Sequence, residues 1–278
     1  MKKLLFAAAA CTMAFAAPAA ADHHSESETR AALEAAVAAD WRGEDRERDQ
    51  YRHPVETIEF FQIKPGMTVV DYVPPPGWYT KILVPYLGSK GTYVATIRTF
   101  EGGSPEGQAR QRVFPEVFPR LTREDMEKNS IENAAKIEGL NTIYIPEEMH
   151  GTADRVLVFR MMHNLHRWGL VPEELSNFRK LLKNDGMLGI VQHRARADAP
   201  YSYADGNNGY MRQEDVIKLV EAHGFELVAS SEINANPKDT ADHEGGVWQI
   251  PPRWASQDEA KKAIGESDRM TLLFKKRP

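Results

Sequence analysis

Apolar residues along this chain recur first at helical spacing and then in short β-branched runs. Residues 29–40 have helix-forming composition, and Trp41 is placed to pin that helix to the body. Residues 42–52 alternate in sign through Glu44, Asp45, Arg46, Glu47, Arg48 and Asp49, the pattern of a solvated helix face or a linker. Pro54 suits a helix first turn ahead of Val55, Ile58, Phe60 and Phe61. From Lys64 the rhythm changes. Pro65-Gly66 marks a turn, residues 67–73 predict a buried strand, and Pro74 to Gly77 form a loop. A helical pattern through Tyr79, Ile82, Leu83 and Leu87 follows, then a strand over residues 92–97, which completes a βαβ unit. Further strands are predicted at 154–159, 187–191, 225–230 and 270–274, with helices at 171–182 and 213–223. This alternation predicts a three-layer α/β sandwich around a mainly parallel sheet. Residues 98–141 and 232–266 fall outside it and read as insertions decorating one edge, where long loops commonly serve as lids or binding segments.

The first residues read as a leader. Met1-Lys2-Lys3, an apolar run from Leu4 to Ala17, then Pro18 and Ala19-Ala20-Ala21 have the order of a secretory signal peptide, with cleavage expected after Ala21. Lipid attachment at Cys11 is the alternative, but Ala8-Ala9-Ala10 lack the usual upstream leucine. The domain plan is a signal peptide over 1–21, a polar helical extension over 22–52 and a single domain over 53–278. It implies a periplasmic or secreted protein without a membrane span once the leader is removed.

Composition then narrows the chemistry. The 278 residues are 42% hydrophobic and 27% charged, with one cysteine. That balance excludes general disorder and a disulfide scaffold. Losing Lys2, Lys3 and Cys11 with the leader moves the net charge from −5 to −7 and leaves no thiol. Thiol catalysis is excluded, and a broad nucleic-acid surface is disfavoured. No Gly-x-Ser-x-Gly elbow, HExxH pair or Walker loop is present.

Several short motifs occur in a telling order: Lys64-Pro65-Gly66 before the first strand, Gly77-Trp78-Tyr79-Thr80 at the first helix, and Leu182-Lys183-Asn184-Asp185-Gly186 before the fifth strand. With these the chain resembles a class I S-adenosylmethionine-dependent methyltransferase. His163-Asn164-Leu165-His166 and Gln192-His193 are similar to an exported bacterial group of predicted methyltransferases. The resemblance spans roughly residues 45–276 and implies a Rossmann-like, seven-stranded sheet whose last strand is antiparallel. It also implies S-adenosylmethionine over the carboxyl ends of the strands and methyl transfer to a small molecule. The implied cofactor contacts are Asp71, Gly77, Trp78, Tyr79 and Glu101.

The chain departs from that pattern in two places. Pro74-Pro75-Pro76 stand where glycines are expected, and prolines favour a stiff extended path over a tight cradle. The second strand ends Thr96-Ile97-Arg98, with no acid for a ribose before Glu101.

His163, His166 and His193 are the candidate catalytic bases, since histidine titrates near neutrality. Asn164, Tyr210 and Arg212 are candidate substrate contacts, and no metal ligands are assigned. Bland readings stand beside these: Asp71 as a turn cap, Trp78 and Tyr79 as core, a histidine packed on Trp168. The rival functions are a ligand-binding protein on the same fold that methylates nothing, and a histidine- or metal-dependent enzyme using the same sheet edge.

Overall fold

A computed structural model describes residues 26–277, so the expected leader over 1–21 and Cys11 lie outside the described residues. The helices are α1 (Glu26–Ala38), α2 (Asp49–Arg52), α3 (Pro54–Phe60), α4 (Thr80–Leu87), α5 (Pro105–Lys128), α6 (Met162–Arg167), α7 (Val171–Leu181), α8 (Tyr201–Ala204), α9 (Gln213–Ala222) and α10 (Glu259–Lys262). The strands are β1 (Thr68–Tyr72), β2 (Thr92–Ile97), β3 (Lys136–Asn141), β4 (Ala153–Phe159), β5 (Leu182–His193), β6 (Phe225–Ser231) and β7 (Arg269–Lys276).

These strands form one sheet in the order β3-β2-β1-β4-β5-β7-β6. The pairs β1–β2, β1–β4, β2–β3 and β4–β5 are parallel, and β7 runs antiparallel between β5 and β6. This is the seven-stranded, mainly parallel sheet with an antiparallel last strand that the resemblance implies. Helices cover both faces, so the central strands are apolar nearly throughout. On one face Val70, Tyr72, Val156, Val158 and Ile190 pack with Leu165, Leu175, Phe178 and Val216. On the other, Val69, Tyr93 and Leu157 pack with Leu33, Ile58, Ile82, Leu83 and Phe114. Each such side chain contributes ~1.5–3 kcal/mol on full burial.

Two stretches differ from their reading in sequence. Residues 98–141 continue the alternation, supplying α5 and β3. Pro115 and Pro119 inside α5 disguise it, although Ser104 caps its start by accepting from the Gly107 amide at 3.2 Å. β3 is an edge strand buried only at Ile137 and Leu140, too little for an apolar run. Residues 42–52 are a solvated face only in part: Glu44, Arg46 and Glu47 are exposed, but the two ends of the run turn inward. Arg42 and Arg52 are only 1% and 2% exposed. Arg42 donates to both carboxylate oxygens of Asp49 at 2.8 and 2.7 Å. The guanidinium groups of Arg42 and Arg52 lie 4.9 and 4.7 Å from the Trp78 ring centroid. A planar cation with fixed carboxylate and aromatic partners can be buried, which sign alternation does not reveal.

The strand order places the site. From β1 the chain steps outward to β2 and β3, then returns to β4 on the other side of β1. Connections leaving β1 and β4 therefore diverge, which opens a crevice at the carboxyl ends of the strands.

Candidate active site

A cavity of about 270 Å³ occupies this crevice. Val73 and Pro75 after β1, Arg160 after β4, His163 and Asn164 on α6, and His193 at the end of β5 line it. Trp248, Ile250 and Pro251 to Arg253, with Glu266 and Ser267, complete its lining. A larger hollow of about 530 Å³ lies before β1, lined by Arg30, Glu59, Ile63 and Tyr86. It shares no lining residue with the crevice cavity, and Arg30 and Glu59 pair with each other there at 2.8 Å. The smaller cavity is the one where titratable groups converge.

The proline run forms a tight turn rather than an extended path. The Gly77 amide donates to the Pro74 carbonyl at 2.8 Å, across a cis Pro75–Pro76 peptide. Such a turn needs a donor only at its fourth residue, and Gly77 alone in the run retains an N–H. Its φ of 94° also suits glycine.

Around that turn the expected cofactor contacts face several ways. Asp71 is buried beneath the α4 terminus, where it accepts from the Tyr93 hydroxyl at 2.8 Å. Tyr93 in turn bonds Thr80 at 2.8 Å, which ties β1 to the start of α4. Burial pushes the Asp71 carboxyl up to about 7, against the pull of the Tyr93 hydrogen bond. Trp78 donates to the Asp45 carbonyl at 2.8 Å and faces the N-terminal segment. Tyr79 stacks on Phe159, with centroids 3.7 Å apart. Glu101 is exposed, in a shallow cleft with Thr99 and Arg112.

The histidines divide into a pair and an outlier. His163 and His193 both line the cavity, with ring centroids 5.6 Å apart. His163 Nδ1 lies 3.3 Å from Gln192 Oε1, and Gln192 Nε2 donates to the Gly209 carbonyl at 2.8 Å. The glutamine oxygen therefore faces the ring, Nδ1 carries the hydrogen, and Nε2 keeps a free lone pair. Burial, outweighing the Gln192 hydrogen bond, pushes His163 down to about 4. Burial, with His163 and Arg160 nearby, also holds His193 well below the usual histidine range. Both are neutral at pH 7. The Nδ1 of His193 is 2.5 Å from the Ser267 hydroxyl. His166 instead reaches Tyr201 at 3.3 Å, away from the pair.

Among the expected substrate contacts, Asn164 lines the cavity and its Oδ1 is buried without a hydrogen-bond partner. Tyr210 lies behind His193, at 6.2 Å between centroids, and donates to Asp239 at 2.9 Å. Arg212 pairs with Asp215 at 2.6 Å. The fold thus brings together His163, Asn164 and His193. Among the described residues, no group of three or more His, Cys, Asp or Glu side chains could hold a metal ion.

Three residues that sequence reasoning did not single out complete the site: Arg160, Glu266 and Ser267. Arg160 has a left-handed backbone, φ 57°, and its amide donates to the Val191 carbonyl at 2.6 Å. Glu266 is buried and receives Arg48 at 2.7 Å, Arg52 at 3.1 Å and Arg269 at 3.0 Å. Burial alone would raise its pKa, yet Arg269, Arg52 and Arg48 draw it down to about 2. The placement of Arg160 directly after a predicted strand was a usable signal. Glu266 gave none, because two of its partners come from the opposite end of the chain.

Toward β2 the crevice differs. Arg98 is engaged with Glu173 and, at 3.1 Å, with Glu174. Phe100 stacks on Trp168 at 4.8 Å between centroids, which joins the segments that follow β2 and α6.

No protein-family model matches this sequence, and no curated protein matches it. Among solved structures the chain is similar to a SAM-dependent methyltransferase from Aquifex aeolicus, 18% identical, TM-score 0.49, over 74% of this chain and 93% of that one. It is also similar to the 1,6-didemethyltoxoflavin-N1-methyltransferase of Burkholderia thailandensis, solved with S-adenosylhomocysteine. That likeness is 12% identical, TM-score 0.46, over 94% of this chain and 95% of that one. The PH0226 protein from Pyrococcus horikoshii is 10% identical, TM-score 0.49, over 87% and 93%. The fold assignment rests on the strand order and pairing themselves.

Proposed function

We propose that this chain is an S-adenosylmethionine-dependent methyltransferase that acts on a small molecule outside the cytoplasm. One observation carries the reading: two neutral histidines share a cavity at the strand-order reversal of a methyltransferase-like sheet. When bound, the cofactor would supply an electrophilic methyl group. Its amino-acid end fits the site, where the buried, unpartnered Asn164 Oδ1 suits an ammonium group. The Pro74–Gly77 turn would border it. The ribose end has no such partner, since Arg98 stands where an acid is expected and the nearby carboxylates of Glu173 and Glu174 are engaged with it.

The chain's own contribution is orientation and proton handling. The lone pair on His163 Nε2 would accept the proton of an O–H or N–H nucleophile, and burial keeps that nitrogen unprotonated through the neutral range. Ser267 holds the His193 ring in place. The Trp248–Arg253 segment limits access of water, which favours a fixed ligand geometry.

A second reading, a ligand-binding protein on the same fold without this cofactor, is favoured by the Arg98 pairs and the Phe100–Trp168 stack. Calorimetric titration separates the two. The first predicts saturable binding of S-adenosylmethionine and S-adenosylhomocysteine, with constants in the ~1 μM–1 mM range of enzyme substrates. Absence of both leaves the second.

Export is supported by the order of basic, apolar and small residues at the start. No described helix is long and apolar enough to cross a membrane. Cell fractionation with N-terminal sequencing tests this: a mature chain starting at Asp22 is expected, and a cytoplasmic chain retaining Met1 contradicts it.

A further inference from the structure

The charges around the cavity do not balance. Arg48, Arg52 and Arg269 all converge on the single carboxylate of Glu266. Arg160 stands beside this cluster and lines the cavity, yet its side chain has no hydrogen-bond or ion-pair partner among the described residues. Burial, compounded by the charge of Arg52 and only partly offset by Glu266, lowers its pKa to about 9, which leaves it cationic at neutral pH. Arg253 at the mouth is exposed and likewise has no ion-pair partner among the described residues. The histidines facing the same space are neutral, and among the described residues Glu266 is the one acid that lines it. Glu266 is the acid that acts on the Arg160 charge, and three other arginines already share it; a partly buried guanidinium in that position is costly unless a ligand supplies a further counter-charge.

We propose that the cavity recognises the carboxylate of a small-molecule ligand, held by Arg160 and met at the mouth by Arg253. A guanidinium presents parallel N–H donors that match the two oxygens of a carboxylate. A space of about 270 Å³ walled by Val73, Phe159 and Trp248 suits a compact acid with an apolar body. The proposal deepens the reading of this cavity as the active site by naming a ligand class. A carboxylate on the substrate and the carboxylate of the cofactor's amino-acid end are the two sources of this chemistry.

The test uses the chain from Asp22 onward and benzoate as probe, with benzamide as its uncharged isostere, at matched ionic strength. Benzoate is expected to bind saturably and at least about tenfold more tightly than benzamide. Arg160→Gln should remove that preference, Arg160→Lys should keep part of it, and Arg253→Gln should weaken it several-fold. Arg196→Gln, which alters an exposed pair with Asp198, should change nothing. Equal binding of the two probes, or of benzoate to wild type and Arg160→Gln, overturns the proposal, as does binding of inorganic phosphate in preference to benzoate. If Arg160→Gln does not fold, the benzoate–benzamide comparison and Arg253→Gln still decide.

Titrating S-adenosylhomocysteine into benzoate-saturated protein identifies the source. Competition assigns Arg160 to the cofactor's carboxylate, and independent binding assigns it to a separate acid. Benzoate binding without any S-adenosylhomocysteine binding sinks the methyl-transfer reading and leaves the carboxylate site. S-adenosylhomocysteine binding with no benzoate preference does the reverse.

Discussion

The guanidinium Nε of Arg52 lies 3.1 Å from a carboxylate oxygen of Glu266, both side chains sealed from solvent and 214 residues apart. Glu266 also borders the cavity, so the N-terminal segment is part of the site's foundation. Glu266→Gln would leave three arginines without their shared anion. It should cost about 3–5 kcal/mol, read by urea unfolding at neutral pH. With its pKa lowered to about 2 in the fold, wild-type Glu266 stabilises the protein above its ordinary value of 4.5. That contribution is lost as pH falls through about 2. The variant should therefore show a shallower loss of stability in acid, and an unchanged acid limb contradicts the account.

Trp78 should behave as a structural clamp. It packs beneath Arg42 and Arg52 and donates to Asp45. Trp78→Ala should cost about 3–5 kcal/mol, as large core truncations do. It should also expose residues 42–52 to trypsin. Rapid cleavage there, visible by mass spectrometry, is the expected result; protection equal to wild type argues against the clamp.

Asp71 carries a pH signature of the opposite sign. Its pKa rises from 3.8 to about 7 on folding, so its ionisation opposes the folded state. The stability it allows is complete below about pH 3.8 and is lost as pH rises through about 7. Wild type should lose on the order of 4 kcal/mol relative to Asp71→Asn between these pH values. Paired urea titrations at several pH values measure the difference. A gap that does not change with pH would show that Asp71 is not held neutral.

The cavity histidines should be silent where histidine normally titrates. Imidazole chemical shifts of His163 and His193 are expected to stay constant from pH 8 down to about 5. Because the His163 pKa is lowered from 6.5 to about 4, its contribution is present above 6.5 and lost as pH falls toward 4. His163→Gln should lessen the loss of stability over that interval. A titration of either ring near neutrality contradicts the burial argument.

The alternation of buried strands and amphipathic helices was legible because β1, β2 and β4 carry near-continuous apolar runs. β3 and α5 were not, because an edge strand buries few residues and the prolines of α5 mimic breakers. At the site, His163, Asn164 and His193 were readable from their positions after predicted strands. Arg160 was visible but unmarked. The Glu266 cluster was not readable, because burial of arginine depends on partners that only the tertiary fold supplies. Asp71, Trp78 and Tyr79 occupy their expected places after or on β1, but Asp71 and Trp78 spend their polar atoms on neighbouring segments.

The crystal structure of the chain from Asp22 soaked with S-adenosylhomocysteine tests the account most directly. Ligand is expected in the crevice bordered by Val73, Arg160 and His163, with its amino-acid end beside Asn164. Displacement of Phe100 from Trp168 to admit the adenosine is expected with it. Ligand bound only in the hollow between Arg30 and Tyr86, or none at saturating concentration, would contradict it.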